Sequence, residues 1–136
     1  MRSEEIPVET GARRVTDVTD RVQRYVGRVA GGGDGLLHLF VPHATCGLAL
    51  METGSGSEAD LADALDRLLP RDDRYRHRHG SIGHGADHLM PAFVAPFLVL
   101  AVEAGSPALG TWQRVVIVDP NRDNPVRTLR LSFVPG

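Results

Sequence analysis

The sequence predicts an α+β fold in a single domain spanning residues 1–136. Two runs, residues 18–29 and 61–69, space their apolar side chains as one face of a helix. Strand-like runs, by contrast, gather toward the C-terminus, at 97–102, 113–118 and 127–134. The composition agrees: fifteen Gly, nine Pro, and only four Phe, two Tyr and one Trp favour a small-residue β core over a helical bundle.

Taken in order, residues 4–16 alternate weakly through Ile6, Val8, Thr10 and Val15, predicting a first strand interrupted at Gly11. Thr16 to Asp20 supply N-cap candidates for a helix whose apolar face is Val18, Val22, Tyr25, Val26 and Val29. Gly31–Gly33 end it in a turn, since no strand precedes them and no helix follows to make a phosphate loop. Leu36–Val41 is almost wholly apolar, as expected of a strand buried on both faces, and Pro42 ends it. An extended run through Met51 follows. Ser57-x-x-Asp60 resembles a capping box opening a helix on Leu61, Ala64, Leu65, Leu68 and Leu69, which Pro70 closes. A short helix is expected near Gly85–Met90. Phe97–Val102 reads as a second buried strand and Gln113–Val118 as a third. Asp119–Pro125 reads as a polar hairpin loop, and Arg127–Val134 as a half-exposed last strand. Antiparallel pairing is expected at least from residue 97 on.

The chemistry concentrates between Tyr75 and His88, where four of the six histidines lie: His77, His79, His84 and His88. Imidazole is the commonest metal ligand and titrates near neutrality, so the cluster points to a metal or acid–base site. A solvated charged loop is the alternative, because Arg74, Arg76 and Arg78 alternate with the first histidines. His43 stands at a bend between two apolar runs, where a side chain can enter a cleft on a fixed backbone. His38, inside its strand, reads as a core or sheet-face residue. Cys46, the one cysteine, reads as a small buried hydrophobe.

A net charge of −2 offers no basic surface for nucleic acid, and no apolar run reaches membrane-spanning length. The single cysteine excludes an intramolecular disulfide, and the first residues lack the apolar core of a signal peptide. A cytoplasmic protein without nucleic-acid or membrane partners is expected.

The segment PHATCGLALME (residues 42–52) resembles the pattern P-H-T-[ST]-A-x-L-x-x-N-E, and Leu109-Gly110-Thr111-Trp112-Gln113 matches a G-T-W-Q motif. With Pro70, Tyr75, His77 and His88 between them, these segments resemble the YjbQ-like family over nearly the whole chain. Its members are described as secondary thiamine-phosphate synthases. The resemblance implies a compact α+β sandwich of largely antiparallel sheet with two main helices, assembled as a homotrimer with sites near subunit boundaries. It carries over His43, Glu52, His77, His88, Gly110, Thr111, Trp112, Gln113 and Arg127. In the synthase it implies, Glu52, His77 and Arg127 serve catalysis, and Thr111, Trp112 and Gln113 hold the ring of the bound group. His43 and His88, with His84, hold a divalent metal. Two readings of Trp112 stay open, a flat wall for a heteroaromatic ring or a core or interface residue. Arg127 either binds phosphate or pairs with Asp119.

The chain departs from the family at several polar positions. Met51-Glu52-Thr53 and Ser55 replace amide and acidic residues, His84 stands where an acid or amide is usual, and Met90 where a basic residue is. Nitrogen donors suit zinc or a similar ion better than magnesium, which prefers oxygen. Two functions are therefore expected. One is a synthase joining a pyrimidine-methyl pyrophosphate to a thiazole phosphate, with a phosphorylated small molecule as substrate. The other is a trimeric metal- or ligand-binding protein, or metal-dependent hydrolase, without synthase activity.

Overall fold

The computed structural model describes residues 1–136. In chain order the elements are β1 (Arg2–Glu9), β2 (Val15–Asp17), α1 (Thr19–Val29), β3 (Gly35–Phe40), β4 (Gly47–Met51) and α2 (Ser57–Leu68). Then come α3 (His84–Leu89), a 3-10 turn at Met90–Ala92, β5 (Phe97–Glu103), β6 (Ser106–Pro107), β7 (Arg114–Val118) and β8 (Val126–Pro135). Every strand pairing is antiparallel. A five-stranded sheet runs β1-β8-β3-β5-β6, and a three-stranded sheet runs β2-β7-β4. This is the expected α+β architecture.

The main core lies between the sheets. Leu37 and Leu39 of β3, Leu129, Leu131 and Phe133 of β8, and Val115 and Ile117 of β7 meet there. The apolar face of α1, Val22, Tyr25 and Val26, closes one side of it. A second, smaller core covers the opposite face of β7, where Val116 and Val118 pack with Leu69, Ala86 and Met90. The strand buried on both faces is thus β7. Its run of Val-Val-Ile-Val is what such a position requires, since successive side chains enter different cores.

That arrangement corrects the reading of β3 and β5. Each buries one face and turns the other outward, leaving Leu36, Phe97 and Val99 exposed, with Val134 of β8 beside Leu36. His38 lies on this outer face between the rings of Phe40 and Phe97, at centroid distances of 6.4 and 6.1 Å. A second correction concerns Asp119–Pro125, which is not a hairpin loop. β7 and β8 belong to different sheets, so the segment crosses between them. A third concerns caps. The N-cap of α2 is Gly56 with φ 90°, not Ser57, and neither long helix has a side-chain cap. At α1, Asp17 Oδ1 instead accepts bonds from both the amide and the hydroxyl of Thr19.

One glycine is fixed by crowding. A Cβ on Gly47 would stand 2.1 Å from the Val94 carbonyl oxygen. That close approach lets Leu48 N–H reach Ala95 O at 2.8 Å and sets β4 against the segment leading into β5.

Candidate metal centre

Residues 70–89 wrap over the second core and bring four imidazoles together. His77 and His79 are two apart in the loop before α3, and their rings lie together. His84 and His88 are four apart on α3, one turn above each other. The ring centroids of His77 lie 4.1 Å from His79, 5.3 Å from His84 and 4.3 Å from His88. His84 Nε2 and His88 Nε2 are 2.8 Å apart, so one carries the proton and the other accepts it. Ligand atoms of His77, His79 and His84 lie within 4.8 Å of one another. An open cleft of about 230 Å³ adjoins them, lined also by Asp72, Asp73 and Arg78.

Glycines make this packing feasible. Gly80 and Gly83 have φ of 85° and 87°, and a Cβ on Gly80 would press into the His84 ring at 2.8 Å. A Cβ on Gly85 would meet Tyr75 Cβ at 2.6 Å. Tyr75 in turn donates its hydroxyl to Pro70 O, closing the segment on itself.

Beneath the rings runs a buried polar chain that begins on α3. Asp87, only 1 % exposed, forms an ion pair with Arg71 and accepts Asn121 Nδ2 at 3.0 Å. The Asn121 amide bonds Asp119 Oδ1, and Asp119 accepts Arg127 Nε at 2.7 Å and Nη2 at 2.8 Å. Arg127 Nη2 also reaches Thr45 Oγ1. Burial opposes the Arg127 charge, yet the hydrogen bonds and attraction of Asp119 outweigh it and raise the guanidinium pKa. Of the two alternatives for Arg127, its pairing with Asp119 is the one formed.

His43 sits beside this pair. Pro42 has no N–H and ends the β3 ladder, and beyond it His43 Nε2 serves as the acceptor for the Thr128 amide of β8 at 2.9 Å. Burial and the Arg127 charge lower its pKa, which keeps the ring neutral and able to accept. Burial also lowers the pKa values of His77 and His88, and the neighbouring histidines lower them further. Cys46 is buried, and its thiol is pushed up to about 12 by burial.

The carried-over residues divide between the two ends of the small sheet. Gly47 pairs with Val118, so Thr45, Asp119 and His43 lie toward one end, the end that leads through Asn121 to α3. Met51 pairs with Arg114, so Glu52 and Gln113 lie at the other. Four residues of strand separate the ends, about 14 Å. Thr111, Trp112 and Gln113 form an exposed turn rather than a strand start, held by Gln113 Oε1 accepting the Gly110 amide at 2.8 Å. Trp112 is 73 % exposed and is no core residue. Met90, in place of a basic residue, is buried against β7. Sequence reasoning missed Asp87, Asn121 and Asp123. The alternation Asp119-x-Asn121-x-Asp123, which puts three polar side chains on one loop, was the available signal.

The profile of the family described as UPF0047 protein YjbQ-like matches residues 4–136. A UPF0047 protein of Mycobacterium tuberculosis is 57% identical over 136 residues, covering 100% of both chains. One of Archaeoglobus fulgidus is 32% identical over 117 residues, covering 85% of this chain and 88% of its own. Among solved structures, a hypothetical protein of Aeropyrum pernix superposes with TM-score 0.88 at 30% identity over 100% of both chains. A YbjQ-like protein of Sulfolobus solfataricus shares the fold at TM-score 0.90 and 23% identity, covering 99% of this chain and 97% of that one. Profile, relatives and fold agree over almost every residue: the chain belongs to the YjbQ-like UPF0047 family.

Proposed function

We propose that the protein binds a transition-metal ion of the zinc type at His77, His79 and His84, with His88 as a fourth nitrogen donor or proton partner. The convergence of four imidazoles carries this reading. The donor set fits such an ion: it is nitrogen-rich, and ligand atoms of His77, His79 and His84 already lie within 4.8 Å of one another. Tetrahedral zinc places its ligand nitrogens about 3.3 Å apart, so the exposed His77 and His79 rings need only close inward. A metal held there supplies a Lewis acid to polarise a phosphoryl or carbonyl oxygen of a small substrate in the adjoining cleft. Arg78, which lines that cleft, would orient the substrate.

This favours the metal-binding or hydrolytic reading over thiamine-phosphate synthesis. A synthase requires free cations around two phosphates, whereas both arms of Arg127 engage Asp119. Glu52 and Trp112 lie at the far end of the small sheet from Asp119. The homotrimer belongs to the same proposal, supported by the apolar outer face of the large sheet.

The test is elemental analysis of protein dialysed against zinc, as wild type and as His84→Ala. About one equivalent in the wild type, lost in the variant, is the expected result. Wild type without zinc at micromolar concentration overturns the reading.

A further inference from the structure

The crossing segment Asp119–Pro125 passes beside the histidine cluster at Asp123, and its buried side chains Asp119 and Asn121 have their partners elsewhere. Asp119 holds Arg127 and Thr10, and Asn121 holds Asp87. Asp123 has its amide bonded to Asn121 Oδ1 at 2.9 Å, which fixes its backbone. Its Oδ2 accepts the Ser81 hydroxyl at 3.0 Å and lies 3.9 Å from His84 Nδ1. That Nδ1 is the buried ring nitrogen without a partner, although the ring's other nitrogen contacts His88. A buried ring nitrogen without a partner is costly in either tautomer, and the group next to it is a carboxylate, which can only accept, about 1 Å farther off than in a normal hydrogen bond.

We infer that Asp123 is a positioning residue for His84: its carboxylate takes the Nδ1 proton in a hydrogen bond and leaves Nε2 as the lone pair that faces the cluster. Histidine ligands commonly give their second N–H to a carboxylate, which fixes the tautomer, the ring orientation and the basicity of the donor nitrogen. Here Ser81 adds a second hold. Its hydroxyl donates to the same carboxylate oxygen, and its carbonyl accepts the His84 amide at 3.0 Å. The crossing segment thereby joins the seam between the sheets to the orientation of one imidazole. In the metal-free protein the same tautomer makes His88 the donor in the 2.8 Å contact between the two rings. The part of this inference that concerns metal affinity rests on the metal-binding reading above; the tautomer does not.

Two measurements separate them. Long-range proton–nitrogen NMR spectra of metal-free protein above pH 7.5 read the His84 tautomer in wild type, Asp123→Ala and Asp123→Asn. The expected result is Nδ1–H in wild type and a tautomer mixture in Asp123→Ala. A wild-type Nε2–H tautomer, or an unchanged spectrum in Asp123→Ala, overturns the inference whether or not metal binds. Zinc titration of the same proteins should show affinity weakened about 10- to 100-fold in Asp123→Ala. Equal affinity in a wild type that does bind zinc also overturns it. Asp123→Asn retains an oxygen acceptor for Ser81 and serves if the alanine variant fails to fold. It should show a smaller loss in the same direction, and no loss at all overturns the inference.

Discussion

Arg127 and Asp119 form a two-armed ion pair, Nε to Oδ2 at 2.7 Å and Nη2 to Oδ1 at 2.8 Å, with Arg127 only 2 % exposed. Both charges are out of water, so removing one strands the other. Arg127→Ala should destabilise the fold by about 3–5 kcal/mol, whereas the double replacement Arg127→Met with Asp119→Leu should lose less. Chemical denaturation of the wild type and the two variants checks this; a larger loss in the double variant contradicts it.

His43 and His84 should separate cleanly in metal binding. His43 Nε2 is engaged by the Thr128 amide, while His84 faces His88 within the cluster. His43→Ala is expected to retain zinc and to lose about 1 kcal/mol of stability with the lost acceptor. His84→Ala is expected to lose the metal. Elemental analysis beside thermal melts distinguishes these outcomes.

Acid should weaken the fold through three histidines. His43, His77 and His88 all have pKa values lowered from 6.5, by desolvation first in each case, to which the neighbouring histidines add at the exposed His77 and at His88. Below 6.5 the unfolded chain then binds more protons than the folded one. The stabilisation is fully present above about pH 6.5 and is lost as pH falls through the lower folded values. Metal affinity should fall in the same window, because the ligands must be neutral. Melting temperature against pH, with His88→Gln as the comparison, should show a shallower decline in the variant.

Gly47→Ala should cost about 1–3 kcal/mol, because its Cβ would collide with the Val94 backbone rather than with a side chain able to move. A melting temperature unchanged from wild type would contradict that contact.

The exposed face of the large sheet should govern assembly. Phe97 and Val99 are 50 and 55 % exposed on adjoining outward positions of β5. Val99→Lys is expected to shift a trimer to monomer, read as molar mass by light scattering, while leaving the intrachain core intact. An unchanged mass would place the interface elsewhere.

Local pattern alone was enough for α1, α2, the short helix at His84 and the existence of the longer strands, though not of the two-residue β6. Helical spacing and apolar alternation follow from chain geometry within a few residues. The clustering of histidines was likewise visible, as was the pairing of Arg127 with Asp119 as one of two alternatives. Which strand is buried twice was not visible, because LLHLFV and RVVIV are equally apolar as strings. Only the stacking of a second sheet and of α3 on β7 gives the latter two cores, while β3 and β5 keep a bare face. The partition of the site was hidden for the same reason. His43 and Glu52 are nine positions apart in one motif, yet a straight strand between them carries them to opposite ends of a sheet. Asp87, Asn121 and Asp123 gained meaning only when the 119–125 crossing laid Asn121 and Asp123 against α3, which carries Asp87, a juxtaposition that sheet topology decides and residue spacing cannot.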